Sequence, residues 1–401
     1  MGFDRSLSLE EVPVSPDIRR LPRLEDLPPV AGRRVLVRAD LNAPLRETAA
    51  GSYEVTDDFR LRSSIPTLSW LVERGAHVSV CSHLGRPKGK IDPRYSMTPI
   101  RERMATLAPS VEVMENLRFD PGEEANDPDF VRRLVEGFDY YVNDAFGACH
   151  RSHGSIVGAP LLLPSAAGRL LEREVDALAR LLVEPERPFV AVLGGAKVAD
   201  KLGLLTSLSQ KVDQLFIGGA MCFTFLAALG HDVGGSPVEP ALFDEARSLL
   251  AHCQLELPKD LVALSPDGSF GDGNEPSGTA RDFGGGDLLP GWRGADIGAA
   301  TRVAFGRGIA HARTVLWNGP MGVFEDPRFG EGTRSVAKAV ASSVGYSVVG
   351  GGETVAAVHE LHLEERIDHV SSGGGAMLEL IEKGDLPGLA ALRASAHVAH
   401  R

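Results

Sequence analysis

Short runs of apolar residues recur along the chain, and each is followed by a stretch whose apolar positions have helical spacing. Nearly continuous apolar strands are typical of parallel sheets covered by helices on both faces. In the first half the predicted strands are residues 34–41, 77–84, 111–115 and 140–146. In the second half they are residues 189–193, 214–217, 261–264, 314–317, 347–349 and 369–371. Two such series predict an α/β protein with two doubly wound lobes.

Residues 167–182 (AGRLLEREVDALARLL) carry apolar positions at helical spacing with charges opposite, and EPERP at 184–188 ends the pattern. We predict a helix that joins the lobes, with the boundary near residue 186. The first lobe is then 1–186 and the second begins at 187. Residues 1–22 are predicted to include a loose N-terminal extension, and the Gly-, Ser- and Asp-rich residues 266–287 a mobile, solvated excursion.

The composition narrows the class of protein. The chain has 401 residues and a formal charge of -12, which suits two domains and disfavours binding of nucleic acid or anionic membranes through the overall field. No apolar run approaches the roughly 18 residues of a membrane span, and the first residues lack the apolar segment of a secretory signal. The four cysteines are far apart, which fits a reducing compartment. We therefore expect a cytoplasmic protein.

Basic and histidine side chains follow the predicted strands of the first half. They are Arg38, Arg60, His83, Arg86, Arg118, His150, Arg151 and His153. Open α/β sheets bind ligands beyond the carboxyl ends of their strands, and guanidinium groups match phosphate and carboxylate oxygens. The pattern predicts a site for a small polyanion, although a single arginine more often forms a surface ion pair. Cys149, His150 and His153 are an alternative metal site that lacks a fourth ligand at suitable spacing.

Glycine-rich turns follow the strands of the second half. In LGGAKVADK (193–201) the glycines and a predicted helix start favour phosphate binding, and Lys197 and Lys201 are expected on one helix face with an anion between them. A plain strand-to-helix turn is the alternative. Further glycine clusters lie at 218–219, 350–352 and 373–375. Neither GxxxxGK[ST] nor GxGxxG occurs, which argues against a P-loop enzyme and a dinucleotide dehydrogenase.

Two further motifs suggest a nucleotide. Glu353 in GGGET is a candidate ligand for nucleotide-bound Mg²⁺, or alternatively a charge that complements a helix N-terminus. In LWNGPMGVFE (316–325) Pro320 and Gly322 fix a turn beside apolar side chains, and Glu325 could accept hydrogen bonds from a ribose. Alone, this motif is equally compatible with a buried turn.

The ordered series VRADLNAPL, SHLGRPKGK, ENLRFDPGEE, YVNDAFGACHRSHGS, LGGAKVADK, LWNGPMGVFE, GGGET and SSGGGAMLELIEKGDLPG resembles the motifs of the phosphoglycerate kinase family over about residues 25–395. The resemblance implies reversible phosphoryl transfer from 1,3-bisphosphoglycerate to Mg-ADP, giving 3-phosphoglycerate and ATP, in glycolysis. It also implies a nucleotide lobe ending at 385, a segment 386–401 that returns to the N-terminal lobe, closure at a hinge, and a monomer.

The resemblance also implies a role for individual residues. The 3-phosphoglycerate site would comprise Asp40, Asn42, Arg60, His83, Leu84, Gly85, Arg86, Arg118, His150 and Arg151. The nucleotide site would comprise Gly195, Lys201, Gly219, Asn318, Pro320, Gly322, Val323, Glu325, Gly351, Gly352, Glu353 and Thr354. Arg60, Lys197, Gly374 and Gly375 would act on the transferring phosphoryl group, and Glu353 would contact the nucleotide's Mg²⁺.

The chain departs from the family pattern at three motif positions. Glu353 replaces the usual Asp, Ala220 replaces a glycine near the expected adenine site, and Leu41 replaces a Phe. Because no phosphoryl-binding cation is missing, we expect an active enzyme with altered metal or nucleotide preference. A catalytically inactive binding protein with the same lobes is the rival hypothesis.

Overall fold

A computed structural model describes residues 18–49, 51–271 and 275–395 of the chain. The described residues form two compact units, the first comprising 18–179 with 375–395 and the second comprising 180–374. The sequence predicts lobe boundaries near residues 186 and 386. In the structure the units divide earlier, after residues 179 and 374. The two units are called the N-terminal and C-terminal lobes below.

A five-stranded parallel sheet forms the centre of the N-terminal lobe, in the order β5-β4-β1-β6-β7, while β2 and β3 form a separate antiparallel pair. The strands are β1 (Arg34–Ala39), β2 (Leu45–Glu47), β3 (Tyr53–Val55), β4 (His77–Cys81), β5 (Glu112–Val113), β6 (Tyr140–Asp144) and β7 (Ser165–Ala167). The helices are α1 (Phe59–Glu73), α2 (Thr98–Leu107), α3 (Pro121–Ala125), α4 (Pro128–Val135) and α5 (Arg169–Leu182). Strand β1 pairs with β4 and β6, so the ends of these three strands are neighbours.

Helix α5 begins two residues later than predicted, because Ala167 belongs to β7. Asp144 at the end of β6 accepts hydrogen bonds from the backbone N–H groups of Leu170 (2.9 Å) and Leu171 (3.3 Å) through Oδ1. These first-turn N–H groups have no partner within the helix, so the carboxylate caps it. The helix runs across the limit between the two units at residue 179.

The C-terminal lobe has a six-stranded parallel sheet in the order β10-β9-β8-β14-β15-β16. Its strands are β8 (Phe189–Leu193), β9 (Gln214–Ile217), β10 (Leu255–Glu256), β11 (Asp260–Leu264), β12 (Ala280–Gly284), β13 (Arg293–Ile297), β14 (Thr314–Asn318), β15 (Tyr346–Gly350) and β16 (His369–Val370). Its helices are α6 (Leu202–Ser209), α7 (Cys222–Ala228), α8 (Phe243–His252), α9 (Ala299–His311), α10 (Glu331–Ser342) and α11 (Gly352–Glu360). The core on this sheet packs Val192, Phe216, Phe305 and Trp317 together.

One strand that the sequence predicted lies outside the parallel sheet. Residues 261–264 fall in β11, which pairs antiparallel with β12 and β13 in a separate three-stranded sheet. Strand β12 lies in the Gly-rich stretch 266–287, which was expected to be a mobile excursion. Arg328 also holds this stretch, since its guanidinium donates to the backbone oxygens of Ser277 (2.7 Å) and Ser269 (3.0 Å).

Two final helices, α12 (Gly375–Lys383) and α13 (Pro387–Ser395), belong to the N-terminal lobe. Helix α13 packs against the helical turn Gly154–Gly158, and the Gly388 N–H donates to the Cys149 backbone oxygen at 2.9 Å. The predicted fold class, two α/β lobes on parallel sheets with a returning C-terminal segment, is therefore confirmed.

The expected loose extension lies largely outside the described residues, which begin at 18. Within its last part, Ile18 is fully buried and Leu21 is buried. The Pro22 backbone oxygen accepts a hydrogen bond from the Ala167 N–H at 2.7 Å, so residues 18–22 pack on the N-terminal lobe. Among the described helices, none combines the length and apolar character that a membrane crossing requires.

Candidate active site

Polar side chains gather at the carboxyl ends of the three neighbouring strands β1, β4 and β6 in the N-terminal lobe. Asp40 follows β1, His83 lies two residues past β4, and His150 and Arg151 lie past β6. Arg60 in the first turn of α1 reaches this edge and forms an ion pair with Asp40. The residues predicted from three distant motifs are therefore on one edge of one sheet.

Asp40 is buried yet charged. Burial alone would raise its pKa, but the charges of Arg60 and Arg38 and the hydrogen bond from the Asn42 N–H hold the pKa of the carboxyl below its usual range. The carboxylate thus acts as the anionic partner of Arg60 rather than as a proton donor near neutral pH.

The loop after β4 is held in place by the side chains of Asn42 and Asn116. The Gly85 N–H donates to Asn42 Oδ1 at 2.9 Å. Asn116 Nδ2 donates to the backbone oxygens of Leu84 (2.8 Å) and Tyr95 (2.9 Å), and its Oδ1 accepts from the Leu84 N–H. Asn116 was not predicted as a site residue, although it lies in the ENLRF motif whose arginine was.

Arg118 is buried beneath the same loop. Its Nη1 donates to the Gly85 backbone oxygen at 2.7 Å, and its Nε lies 3.3 Å from the Glu124 carboxylate. By contrast, Arg86 is exposed. The edge therefore combines one exposed arginine with others that are tied to the protein.

The three histidines near this edge, His83, His150 and His153, are neutral near pH 7. Burial lowers the pKa of His83 to about 3 and that of His153 to about 4, and it also lowers the pKa of His150. Arg151 Nε donates to His150 Nε2 at 3.3 Å, which requires an unprotonated nitrogen there. The alternative metal site finds no support in the described part of the chain, where no group of three or more His, Cys, Asp or Glu side chains could hold an ion.

A cavity of about 190 Å³ lies at the edge of the C-terminal sheet. The predicted residues that line it are Gly195, Gly219, Pro320, Gly322, Val323, Glu325 and Glu353. Ala220 also lines it, so the methyl group that replaces a glycine hydrogen borders this space. Apolar walls with a few polar groups are typical of small-molecule sites.

Two predicted glycines allow close approaches here. Gly219 has φ +64°, and a Cβ there would lie 2.4 Å from the Gly195 backbone nitrogen. Gly351 has φ +97°, and a Cβ would lie 2.6 Å from the side-chain nitrogen Nδ2 of Asn318. A larger residue would therefore clash with the neighbouring backbone at Gly219 and with the Asn318 side chain at Gly351.

Asn318 and Thr354 are buried and brace the β14 and β15 ends. Asn318 Nδ2 donates to the Gly350 backbone oxygen at 2.7 Å, and Thr354 Oγ1 accepts from the Gly319 N–H at 2.7 Å. Neither side chain lines the cavity. Their contacts shape the turn that carries Gly351 and Gly352.

Lys197 and Lys201 differ sharply in environment. Helix α6 begins at Leu202, after both lysines, so the prediction that they share a helix face is wrong. Lys201 Nζ donates to Asn318 Oδ1 (2.5 Å) and to the Gly194 backbone oxygen (2.7 Å), and burial lowers its pKa to about 8. Lys197 is exposed. The glycine turn ends in a short 3₁₀ turn (Ala199–Lys201) rather than in an α-helix, and Lys201 is the last residue of that turn.

Two carboxylates that the sequence did not identify contact this region. Glu239 Oε2 accepts from the Val198 N–H at 2.6 Å, directly after Lys197. Asp296 lines the cavity and accepts from the N–H groups of Ile297 and Gly332, both at 2.8 Å, and burial raises its pKa to about 7. The Glu239–Val198 and Asp296–Gly332 contacts span 41 and 36 residues of chain, so no local motif marks them.

Three predicted glycines face open space. A Cβ at Gly352, Gly374 or Gly375 would meet no atom within 4 Å. Gly352 and Gly375 are the first residues of α11 and α12, where backbone N–H groups lack partners within the helix. These positions leave donors accessible to an anion.

Glu353 is an exposed carboxylate at the cavity, and its charge acts on Lys201 to oppose the fall in the lysine pKa. Proteins commonly hold Mg²⁺ through one or two carboxylates together with substrate phosphates. An accessible carboxylate next to the open Gly352 fits that kind of site.

Comparison with known proteins identifies the family to which the chain is similar. The family model described as phosphoglycerate kinase matches residues 24–114 and 108–384. Phosphoglycerate kinase of Rubrobacter xylanophilus is 49% identical over 386 residues, covering 90% of this chain and 95% of that protein. Phosphoglycerate kinase of Thermus thermophilus is 47% identical over 399 residues, covering 92% and 99%.

Solved structures agree over nearly the same span. The structure of phosphoglycerate kinase from Coxiella burnetii has a TM-score of 0.83 at 34% identity and covers 93% of this chain and 99% of that one. The crystal structure from Pyrococcus horikoshii has a TM-score of 0.80 at 29% identity and covers 94% and 100%. The chain belongs to the phosphoglycerate kinase family.

Proposed function

We propose that the chain carries out its phosphoglycerate kinase activity in glycolysis by transferring a phosphoryl group from 1,3-bisphosphoglycerate to Mg-ADP, reversibly. The N-terminal lobe binds the phosphoglycerate and the C-terminal lobe binds the nucleotide. The observation that carries this proposal is one sheet edge of the C-terminal lobe, where an apolar cavity is lined by Ala196, which precedes the exposed Lys197, and by Glu353, which follows the open Gly352.

The reaction needs charge stabilisation rather than a general base. The attacking atom is an ADP phosphate oxygen and the leaving group is a carboxylate, so neither direction requires removal of a proton from the nucleophile. In-line transfer is then accelerated by positioning and by neutralising the charge on the equatorial phosphoryl oxygens. Neutral histidines and permanently charged arginines suit this requirement.

In the N-terminal lobe we assign 3-phosphoglycerate binding to the group around Asp40 and Arg60. Arg86, with its exposed guanidinium, and Arg151 bind anionic oxygens of the substrate, while Arg118 holds the Gly85 loop. His83 and His150, being neutral, act as hydrogen-bonding groups rather than as cations.

In the C-terminal lobe we assign the cavity to the nucleoside of ADP or ATP. Glu325 accepts from the ribose, and Gly195 and Gly219 border the base. Lys201, whose three N–H donors bond to protein oxygens, acts on the phosphates through its positive charge. Lys197 and the backbone donors of Gly374 and Gly375 contact the transferring phosphoryl group together with Arg60. Because the two substrates bind to different lobes, we infer that the lobes close before transfer.

Magnesium is assigned to the nucleotide, with Glu353 as its protein contact. When bound, the ion would neutralise charge on the phosphate oxygens. The longer side chain of Glu353, relative to the Asp usual in the family, moves the carboxylate outward by one methylene group.

The test is ATP formation from 1,3-bisphosphoglycerate and Mg-ADP by the purified full chain. We expect turnover that requires both substrates, and the same protein should form ADP from ATP and 3-phosphoglycerate. Binding of both ligands without turnover in either direction would instead support the inactive binding protein. We further propose a cytoplasmic monomer, for which sedimentation at several protein concentrations is the measurement.

A further inference from the structure

We propose that Glu123 and Ser155 are positioning residues that act through Arg38 to fix the His83 ring as the neutral tautomer with its proton on Nε2. The N-terminal site would then present His83 to an anionic substrate as a hydrogen-bond donor without a charge. The identity of that substrate rests on the proposed function, whereas the ring's tautomer does not.

The chain of contacts begins at Glu123, whose side chain is fully buried. Its carboxylate accepts two hydrogen bonds from one residue, from the Ser155 N–H at 2.8 Å and from Ser155 Oγ at 2.6 Å. His153 adds a nitrogen 3.8 Å from the same carboxylate. A buried carboxylate is stable only with such partners, so it fixes the orientation of the serine hydroxyl.

The direction of the next hydrogen bond follows from the serine. A hydroxyl has one proton, and Ser155 Oγ donates it to Glu123 Oε1. Its lone pairs remain free to accept, and Arg38 Nε donates to it at 2.9 Å. Because Ser155 Oγ donates to Glu123, it is oriented to accept the hydrogen bond from Arg38 Nε.

Arg38 in turn determines which ring nitrogen of His83 carries the proton. Its side chain is 1% exposed, its Nη1 donates to the Ala39 backbone oxygen, and its Nη2 lies 3.1 Å from His83 Nδ1. A guanidinium has no acceptor atom, so Nδ1 of His83 must accept and must be unprotonated. A neutral ring with an unprotonated Nδ1 carries its proton on Nε2.

The surroundings of His83 keep the ring neutral. Burial, together with the charges of Arg38, Arg151 and Arg60, disfavours a second proton, and only Asp40 opposes them. Among the described residues, none forms a hydrogen bond with His83 Nε2. This nitrogen is also absent from the set of fully buried polar atoms that lack a partner. The Nε2–H group is thus available to a ligand.

NMR of the full chain with nitrogen-labelled histidine tests the tautomer directly and without any turnover. His83 cross peaks are identified by their loss in His83→Gln. We expect the Nε2–H pattern in the wild type from about pH 5 to pH 8, because the ring does not titrate there. A protonated ring, or the Nδ1–H tautomer, in the wild type would overturn the proposal.

Two variants test the positioning role. Ser155→Ala removes the acceptor of Arg38 Nε, and Glu123→Gln keeps the size of the side chain while removing its charge. We expect either to shift the His83 cross peaks and to raise KM for 3-phosphoglycerate about tenfold, with KM for Mg-ATP changed less than about twofold. Unchanged His83 peaks in both folded variants would overturn the assignment.

Ser165→Ala is the matched control, since Ser165 is buried in the same lobe and donates to the backbone oxygens of Leu163 (2.7 Å) and Pro160 (3.2 Å). It should leave both the spectrum and the two KM values as in the wild type. An equal KM rise in the control would contradict a specific role for Ser155. A wild-type chain without kinase turnover would defeat the proposed function while leaving the NMR result intact.

Discussion

Asn318 Oδ1 accepts a hydrogen bond from the Lys201 ammonium group at 2.5 Å, and the backbone oxygens of Asn318 and Gly194 accept two more, at 3.1 and 2.7 Å. Three protein oxygens thus hold a buried lysine at the end of the glycine turn. Burial nevertheless lowers the pKa of Lys201 to about 8, because the ammonium group loses hydration. The nucleotide site therefore contains a cation that titrates close to neutral pH.

We expect ADP binding to weaken as the pH rises through about 8, because the anion favours the protonated form of Lys201. The complex must then take up protons between about pH 8 and pH 9.5, where ADP itself no longer titrates. Calorimetry in two buffers of different ionisation enthalpy measures this uptake. In Lys201→Met the uptake should disappear, and an uptake equal to the wild type's would assign it to another group.

Lys197 should contribute to turnover more than to binding. Its side chain is exposed and we assign it to the equatorial oxygens of the transferring phosphoryl group, a contact that is made fully only in the transition state. Lys197→Ala should lower kcat about 100- to 1,000-fold while the Kd for ADP changes less than about threefold. Lys338→Ala, an exposed lysine on α10, is the control and should keep full activity. Near-normal turnover in Lys197→Ala would refute the assigned role.

Glu353 should set the magnesium requirement. Glu353→Ala removes the carboxylate at the cavity, so half-maximal activity should need about tenfold more Mg²⁺, whereas Glu353→Asp should stay within about threefold of the wild type. The measurement is initial rate against free Mg²⁺ at saturating substrates. Glu360→Ala, at the exposed C-terminal end of the same helix, is the control. An unchanged Mg²⁺ titration in Glu353→Ala would exclude a metal contact.

The substitution Gly375→Ala should preserve or raise the stability of the protein but lower its turnover. Since a Cβ there meets no atom within 4 Å and alanine favours helices, Gly375→Ala should fold at least as stably as the wild type. The added methyl group nevertheless occupies space where the phosphoryl group approaches, so kcat should fall at least about tenfold. Gly306→Ala on α9, where a Cβ is equally unobstructed, should raise stability alone. If Gly375→Ala and Gly306→Ala had equal kcat values, Gly375 would have no role in the transfer step.

How much of this could be predicted from sequence depends on the range of the contacts. Local patterns suffice for strands such as β8 and β9, whose bounds agree with the prediction, because an apolar run is itself local. The strand at 261–264 was assigned to the wrong sheet, since an apolar run does not specify its partner.

The same limit applies to the sites. Motif residues at strand ends converge because parallel strands end on one edge, and this the sequence predicts. The residues that orient them act across long separations: Arg38 and Ser155 are 117 positions apart, and Ser155 and Glu123 are 32 apart. Lys197 and Lys201 were misplaced because the segment 199–201 forms a 3₁₀ turn before α6. No pattern of residue types distinguishes that turn from the first turn of a helix.

Asp144 should make the stability of the N-terminal lobe depend on pH. Burial raises the pKa of this carboxyl to about 7, although the hydrogen bonds from Thr67, Leu171 and Leu170 lower it. The folded state therefore holds a proton that the unfolded state has released between about pH 4 and pH 7, so the contribution of Asp144 to the free energy of unfolding must fall across that window. Because one pKa unit corresponds to about 1.4 kcal/mol, the fall in this contribution should exceed that amount. The buried neutral histidines His83 and His153 act in the opposite direction up to about pH 6.5, so the contribution is read from the difference between a variant and the wild type.

Asp144→Asn retains an oxygen for the N–H groups of Leu170 and Leu171 but does not titrate. Relative to the wild type, its unfolding free energy should therefore become more favourable to folding as the pH rises from about 4 to about 7. Urea unfolding at several pH values is the measurement, with Asp129→Asn, an exposed carboxylate, as the control that keeps the wild-type slope. An identical slope in Asp144→Asn and the wild type would place the titrating group elsewhere.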